Sequence, residues 1–138
     1  MIFKQVFDQK SSTYTYLIAS SQGREALIID PVLENVDSYI KLLNELDLRL
    51  VKVIDTHIHA DHVTGASKLK ALTKCSTIMG EHTPAEAVEI KVKDNEYINL
   101  DHIKIKALHT PGHTSDSYSF LMDDCLFSGD TLLSLIHI

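Results

Sequence analysis

The run from Val51 to Leu72 most confines what this chain can fold into. Val51-Lys52-Val53-Ile54-Asp55 reads as a strand, and Val63 to Leu72 reads as a helix with Val63, Ala66, Leu69 and Leu72 inward. Between them, Thr56-His57-Ile58-His59-Ala60-Asp61-His62 packs three histidines and one aspartate into six residues, His57 to His62. A strand-to-helix loop has a rigid element on either side to hold its side chains in place. Where it is extended, residues two apart point the same way, so His57 and His59 can face one centre. A helix beginning near Asp61 turns Asp61 and His62 in new directions. Such a loop can surround a metal ion or form one edge of a two-metal site.

The rest of the chain must supply the sheet that this strand needs. Its 138 residues allow one domain, and 44% apolar with 23% charged residues fits a globular protein rather than a disordered one. The net charge of −6, without a Lys/Arg run, argues against nucleic acid as a partner. No apolar stretch approaches the length of a membrane span. Asp8 and Lys10 come too early for a signal peptide, which points to the cytoplasm. Cys75 and Cys125 then read as two reduced, packed thiols.

Residues 2–7, 13–19 and 26–30 read as three strands in an antiparallel meander, with Gly23 as the positive-φ residue of the second turn. Residues 35–48 switch to helical spacing, with Val36, Tyr39, Ile40, Leu43 and Leu46 on one stripe and Asn35 as N-cap. After the 51–72 unit come a short strand at 75–79 and an ambiguous stretch around Pro84. A near-alternating segment at 88–108 follows, its 103–108 part a strand with one wet face, and then a hairpin of 117–122 with 125–127. This order gives an α/β or α+β layered domain with helices on a sheet face.

Two more polar segments follow strands: His109-Thr110-Pro111-Gly112-His113-Thr114 and Ser128-Gly129-Asp130-Thr131. Strand ends are where the active sites of sheet proteins gather. Crowded histidines and carboxylates cost stability unless a cation balances them, so the pattern points to a metal. Imidazole with carboxylate suits zinc, iron, manganese or nickel, and the lack of a nearby cysteine argues against a thiolate-rich structural zinc site.

Together the three segments resemble the metallo-β-lactamase superfamily, whose fold is an αββα sandwich. Within it, His57-Ile58-His59-Ala60-Asp61-His62-Val63-Thr64-Gly65 is most similar to the persulfide dioxygenases, the family of the ethylmalonic encephalopathy protein, as are Asp30-Pro31, His113-Thr114 and Gly129-Asp130-Thr131-Leu132-Leu133. The resemblance covers nearly all of residues 1–133. It implies a mononuclear Fe(II) enzyme that oxidises glutathione persulfide with O₂ to sulfite and glutathione. The iron would sit on His57, His113 and Asp130, a 2-His-1-carboxylate facial triad. His59, Asp61 and His62 would orient those ligands or bound water. In the glyoxalase II branch the same residues would hold two metals, zinc among the candidates: His57, His59 and His113 on one, Asp61 and His62 on the other, Asp130 bridging. A hydroxide would then attack a thioester.

The tail Ser134-Leu135-Ile136-His137-Ile138 departs from the family. The expectation is therefore the N-terminal portion of an αββα sandwich at 1–133, incomplete and followed by an unrelated tail at 134–138. Apolar faces of its first sheet would be exposed, and turnover would be weak or nil. His137 is no convincing replacement for the family's last histidine. A non-catalytic metal-binding fragment and a homodimer both stay open. Asp30 reads as a buried carboxylate supporting the metal loop, His109 as structural or supporting, and His82 and His102 as solvated. Tyr14 and Tyr16 read as cross-strand packing. Lys91, Lys93, Lys104 and Lys106 read as wet strand faces or a basic rim for glutathione.

Overall fold

A computed structural model describes residues 2–21, 24–57, 64–81, 83, 88–101, 103–110, 117–122, 125–127 and 132–134, with the backbone alone at 125 and 132–134. The first sheet is built from β1 (Ile2–Asp8), β2 (Thr13–Ala19), β3 (Glu25–Ile29), β4 (Arg49–Ile54), β5 (Ser76–Gly80) and β6 (Ile90–Val92), paired in that order. β1 to β3 form the expected antiparallel meander, and β3 to β6 are parallel. Parallel neighbours need a crossover. Helix α1 (Val36–Glu45), entered through a 3-10 turn at Leu33–Asn35, links β3 to β4, and α2 (Ala66–Thr73) follows β4 and precedes β5. The second sheet is antiparallel: β7 (Tyr97–Leu100), β8 (Ile103–His109), β9 (Tyr118–Met122), β10 (Cys125–Phe127) and β11 (Leu132–Ser134), in the order β11-β10-β9-β8-β7.

Two cores follow from strand alternation. Leu17, Ala26, Ile28, Leu50 and Val53 meet Val36, Tyr39, Leu43 and Leu69 of the helices. Tyr16, Ile18, Leu27, Ile29, Ile54 and Ile78 meet Ile98, Ile105, Phe120 and Phe127 of the second sheet. Each Val, Leu, Ile or Phe among them, fully buried, stabilises by about 1.5–3 kcal/mol relative to exposure. Tyr16 packs edge-on against Phe127 with centroids 5.0 Å apart, and Phe3 lies 5.9 Å from Tyr16 and 6.0 Å from Phe127. This aromatic cluster ties the β1–β2 edge to β10.

One extra residue sets the phase of β4. Ala26 pairs with Leu50 but Leu27 pairs with Lys52, so Val51 is unpaired opposite β3. The bulge lets Leu50 and Val53, three apart, face the same helix-side core. Val51 packs instead toward the second sheet, and the Lys52 ammonium donates to the Asn99 carbonyl of β7.

The layering is helices, sheet, sheet, as the α/β expectation requires, with several local differences. Among the described residues the central strands of the first sheet are covered on both faces, by the helices and by the second sheet, rather than exposed as expected; Phe7 of β1 and Ile90 of β6, at its two edges, are exposed. The reason is that 88–108 is three strands rather than one. The chain turns from β6 to β7 through Lys93–Glu96, where Asn95 takes φ 71°, and from β7 to β8 at Asp101, φ 54°. β11, unforeseen, extends the second sheet into Ser134, the first residue of the expected tail.

Asn35 precedes α1 but makes no side-chain cap; its amide donates to Asp8 at 3.1 Å. α1 keeps its stripe, with Val36, Tyr39 and Leu43 buried, but ends at Glu45. α2 starts at Ala66, and Leu72 is 57% exposed rather than inward. At about 100° per residue it stands about 60° short of a full turn from Leu69, on the helix flank. Arg24 carries a positive φ of 56° in the second turn; Gly23, Val63, Pro84, His82, His102 and the Asp123-Asp124 turn lie outside the described residues. Lys91, Lys93 and Lys104 are exposed and Lys106 half-buried, while Tyr14 and Tyr16 stack along β2 at 6.4 Å. Among the described residues, no helix is long and apolar enough to cross a membrane.

Gly80, at the end of β5, has no room for a side chain: a Cβ there would fall 2.0 Å from the Tyr118 ring, which is buried. Gly80→Ala should therefore destabilise the chain by about 1–3 kcal/mol, the usual cost of overpacking, read from urea denaturation midpoints at unchanged slope.

Candidate metal centre

β4 lies between β3 and β5, and the histidine loop leaves its C-terminal end. The adjacent end of β3 is closed by Asp30, fully buried and at φ 55°, a left-handed conformation that Asp tolerates better than most residues. Its N–H donates to the Ile54 carbonyl at 2.7 Å. Its Oδ1 accepts the Thr56 N–H at 2.8 Å, and its Oδ2 accepts the Thr56 hydroxyl at 2.9 Å. Its own carbonyl accepts the Thr15 hydroxyl at 2.7 Å. Tyr39 Oη lies 3.0 Å from Thr15 Oγ1 and accepts the Val32 N–H at 3.0 Å. With Thr15's proton committed to Asp30, the Tyr39 hydroxyl donates to Thr15, so a one-way chain runs from Val32 to Asp30. This is the support for the metal loop expected of Asp30, made through Thr56.

The next residue, His57, is buried, and its Nδ1 lies 2.8 Å from Thr56 Oγ1. The far end of the loop is pinned as well. Thr64 donates its hydroxyl to the buried Asp55 carboxylate at 2.9 and 3.0 Å, bridges to Val32, and is followed by Gly65, whose N–H donates to Pro31 at 2.9 Å. Gly65 has little room for a side chain: a Cβ would stand 2.7 Å from Val36 Cγ2 and 3.3 Å from the Val32 carbonyl, so Val36 would have to shift. The described residues on either side of 58–63 are thus both fixed by hydrogen bonds.

The second sheet brings the start of β9 to the same place. Tyr118 N–H donates to the Thr56 carbonyl at 2.8 Å. Thr110 N–H donates to Ser117 at 3.0 Å and Thr110 Oγ1 lies 2.7 Å from Ser119 Oγ, closing the base of the segment that contains His113. Phe127 pairs with Phe120, so β10 runs toward that same end before Asp130. His109, half-buried, sets its ring 5.2 Å from that of Tyr118 at a tilt of 32°, and its backbone N–H donates to Asp94.

Of the six ligand candidates, His57 is described; His59, Asp61, His62, His113 and Asp130 lie outside the described residues, as does His137. Among the described residues, no group of three or more His, Cys, Asp or Glu could hold a metal ion. Sequence reasoning did not single out Asp55, Thr56, Thr64 or Tyr118 as supports. Polar residues flanking the histidine run at a strand end were the available signal for the first three; nothing marked Tyr118.

Cys75 is buried in the helix-facing core, and burial above all pushes its thiol up from the ordinary range. A neutral thiol is the form the fold favours, so its contribution is complete below the unfolded thiol's pKa and is lost as pH rises through the higher folded value. At pH 7.5 native Cys75 should resist iodoacetamide and react only after unfolding, read by peptide mass mapping. The Cys125 side chain lies outside the described residues.

Comparison with known proteins agrees with this architecture. A family model described as the Metallo-beta-lactamase superfamily matches residues 9–89, more than half of the chain. The mitochondrial persulfide dioxygenase ETHE1 of Bos taurus is 37% identical over 136 residues, 96% of this chain and 53% of that protein. A hydroxyacylglutathione hydrolase of Dictyostelium discoideum is 32% identical over 128 residues, 86% of this chain and 47% of that protein. The chain thus spans about half the length of the curated relatives it matches. The crystal structure of ETHE1 from Myxococcus xanthus superposes with a TM-score of 0.88 at 42% identity, over 91% of this chain and 56% of that one. A fold of two facing sheets with helices outside, a histidine loop at the end of a central strand, and a family match across that loop lead to one conclusion: the chain belongs to the metallo-β-lactamase superfamily.

Proposed function

We propose that this chain carries the iron site of a persulfide dioxygenase, an oxidoreductase that converts glutathione persulfide, O₂ and water into glutathione, sulfite and two protons. The observation that carries the reading is the similarity to persulfide dioxygenases: 37% identity over 96% of this chain for the bovine protein, against 32% over 86% for a hydroxyacylglutathione hydrolase. The Ala60 and Thr64-Gly65 signature of the loop supports it. The activity of the whole protein is a proposal, since its relatives are about twice as long.

The donor set fits iron. Two imidazoles and one carboxylate, His57, His113 and Asp130, are the donor types that would hold it and would leave other positions open. When bound, iron supplies a place for O₂ and the persulfide sulfur to react side by side. The residues of this chain do the positioning. Asp30, Thr56 and Tyr118 fix the backbone that presents His57, and Asp55 with Thr64 fixes the loop's exit. His59, Asp61 and His62 orient the ligands or bound water.

The similarity to hydroxyacylglutathione hydrolases supports a second reading, a dinuclear thioesterase with His57, His59 and His113 on one metal, Asp61 and His62 on the other, and Asp130 bridging. Metal content separates the two. The chain purified anaerobically and loaded with Fe(II) should hold one iron, and His57→Ala, His113→Ala and Asp130→Ala should each lose it, measured by elemental analysis. An oxygen electrode with glutathione persulfide then reports turnover. Two metals per chain with thioester hydrolysis and no oxygen uptake would overturn the first reading; one iron without uptake would mark a metal-binding fragment.

A further inference from the structure

We infer that Asp30 and Thr56 form a relay that fixes the tautomer of His57, and so make Nε2 its metal-donor atom. The inference rests on the reading of His57 as a ligand, and its basis is a count of protons. A threonine hydroxyl has one proton to give and lone pairs to receive. Thr56 gives that proton to Asp30 Oδ2 at 2.9 Å, while Asp30 Oδ1 accepts the Thr56 N–H at 2.8 Å. Both carboxylate oxygens are acceptors toward Thr56, so the hydroxyl cannot point its proton elsewhere without leaving an acceptor opposite a lone pair. His57 Nδ1 lies 2.8 Å from the same Oγ1, and one partner there must donate. With the hydroxyl proton committed, the donor is His57 Nδ1–H. In a neutral imidazole the lone pair is then on Nε2.

The rest of the geometry makes the relay rigid. Asp30 and Thr56 are buried at 0% and 1% exposure, and His57 at 8%, so little water competes for these bonds. Asp30 is further held by its N–H to Ile54 and its carbonyl to Thr15. Thr56 is held by its carbonyl to Tyr118. Asp30 and Thr56 are positioning residues: they act on the metal through His57. An outer group that fixes a ligating histidine in this way is typically worth 10–100-fold in metal affinity.

Asp30→Asn gives a sharp test because it should reverse the relay. An amide has one oxygen, and the Thr56 N–H requires it; the amide NH₂ then faces Thr56 Oγ1, so the hydroxyl donates to His57 Nδ1. Asn also tolerates the positive φ at this position. Long-range ¹H–¹⁵N spectra of the metal-free chain, assigned with His57→Gln and recorded where imidazole is neutral, should show Nδ1–H at His57 in the unmodified protein and Nε2–H in Asp30→Asn. Thr56→Ser should keep Nδ1–H, and Thr56→Val should lose the preference. Co(II) affinity, measured by chelator competition, should fall about 10–100-fold in Asp30→Asn and Thr56→Val and stay within about twofold in Thr56→Ser. Nε2–H in the unmodified protein, or an unchanged tautomer in Asp30→Asn, would overturn the relay. That measurement needs no metal. Failure of the unmodified chain to bind Co(II) or Fe(II) at all would instead count against the metal-site reading and leave the tautomer result to decide the relay by itself.

Discussion

The Asp30 carboxylate accepts both hydrogen bonds that Thr56 can offer it, one from the backbone and one from the side chain. The placement of His57 depends on that exchange. A buried carboxylate is costly unless its lone pairs are filled, and filling them here requires the ends of β3 and β4 to stand side by side at one height. The parallel pairing of those strands supplies that alignment, since Asp30 N–H continues the ladder to Ile54. The sheet therefore delivers His57 to a fixed place, and the polar groups at the sheet end hold it there.

The sequence made much of this legible for a physical reason. Alternation in β2 and β3 and the apolar stripe of α1 are strong signals because one stretch of side chains meets one face of a core. The histidine loop was legible because no hydrophobic core would assemble such a cluster. What was not legible depended on partners distant in sequence. Lys104 and Lys106 mark a wet face, but nothing local says that 88–108 crosses between sheets; the turn at Asn95 does so because β7 and β8 pair with each other while β6 pairs with β5. Asn35 reads as a cap from its type and place, yet its amide is drawn to Asp8 across the meander. Leu72 belongs to the apolar count of α2 but not to the face that meets β4 and β5.

The candidate site was half legible in the same sense. Ligand types and spacing are written along the chain, whereas supports such as Tyr118 are set by which strand end arrives beside Thr56. Thr64-Gly65, read first as a family signature, has a structural explanation. The hydroxyl closes onto Asp55, and the absent Cβ lets α2 begin against Val32 and Val36. Two residues that are not themselves candidate ligands thus have a structural part, because they fix where the segment carrying the candidates ends.

The bulge at Val51 carries this argument upstream. A pleated strand is a two-phase object, and one unpaired residue reverses the phase of everything after it. Ile54 points into the sheet–sheet core and Val53 toward the helices because the reversal occurs before them. Asp55, Thr56 and His57 inherit their directions from the same reversal. The chemistry at the end of β4 is therefore addressed by arithmetic as well as by residue type: an odd number of residues gained or lost ahead of it would hand the histidine's place to its neighbour, with every ligand still present in the chain.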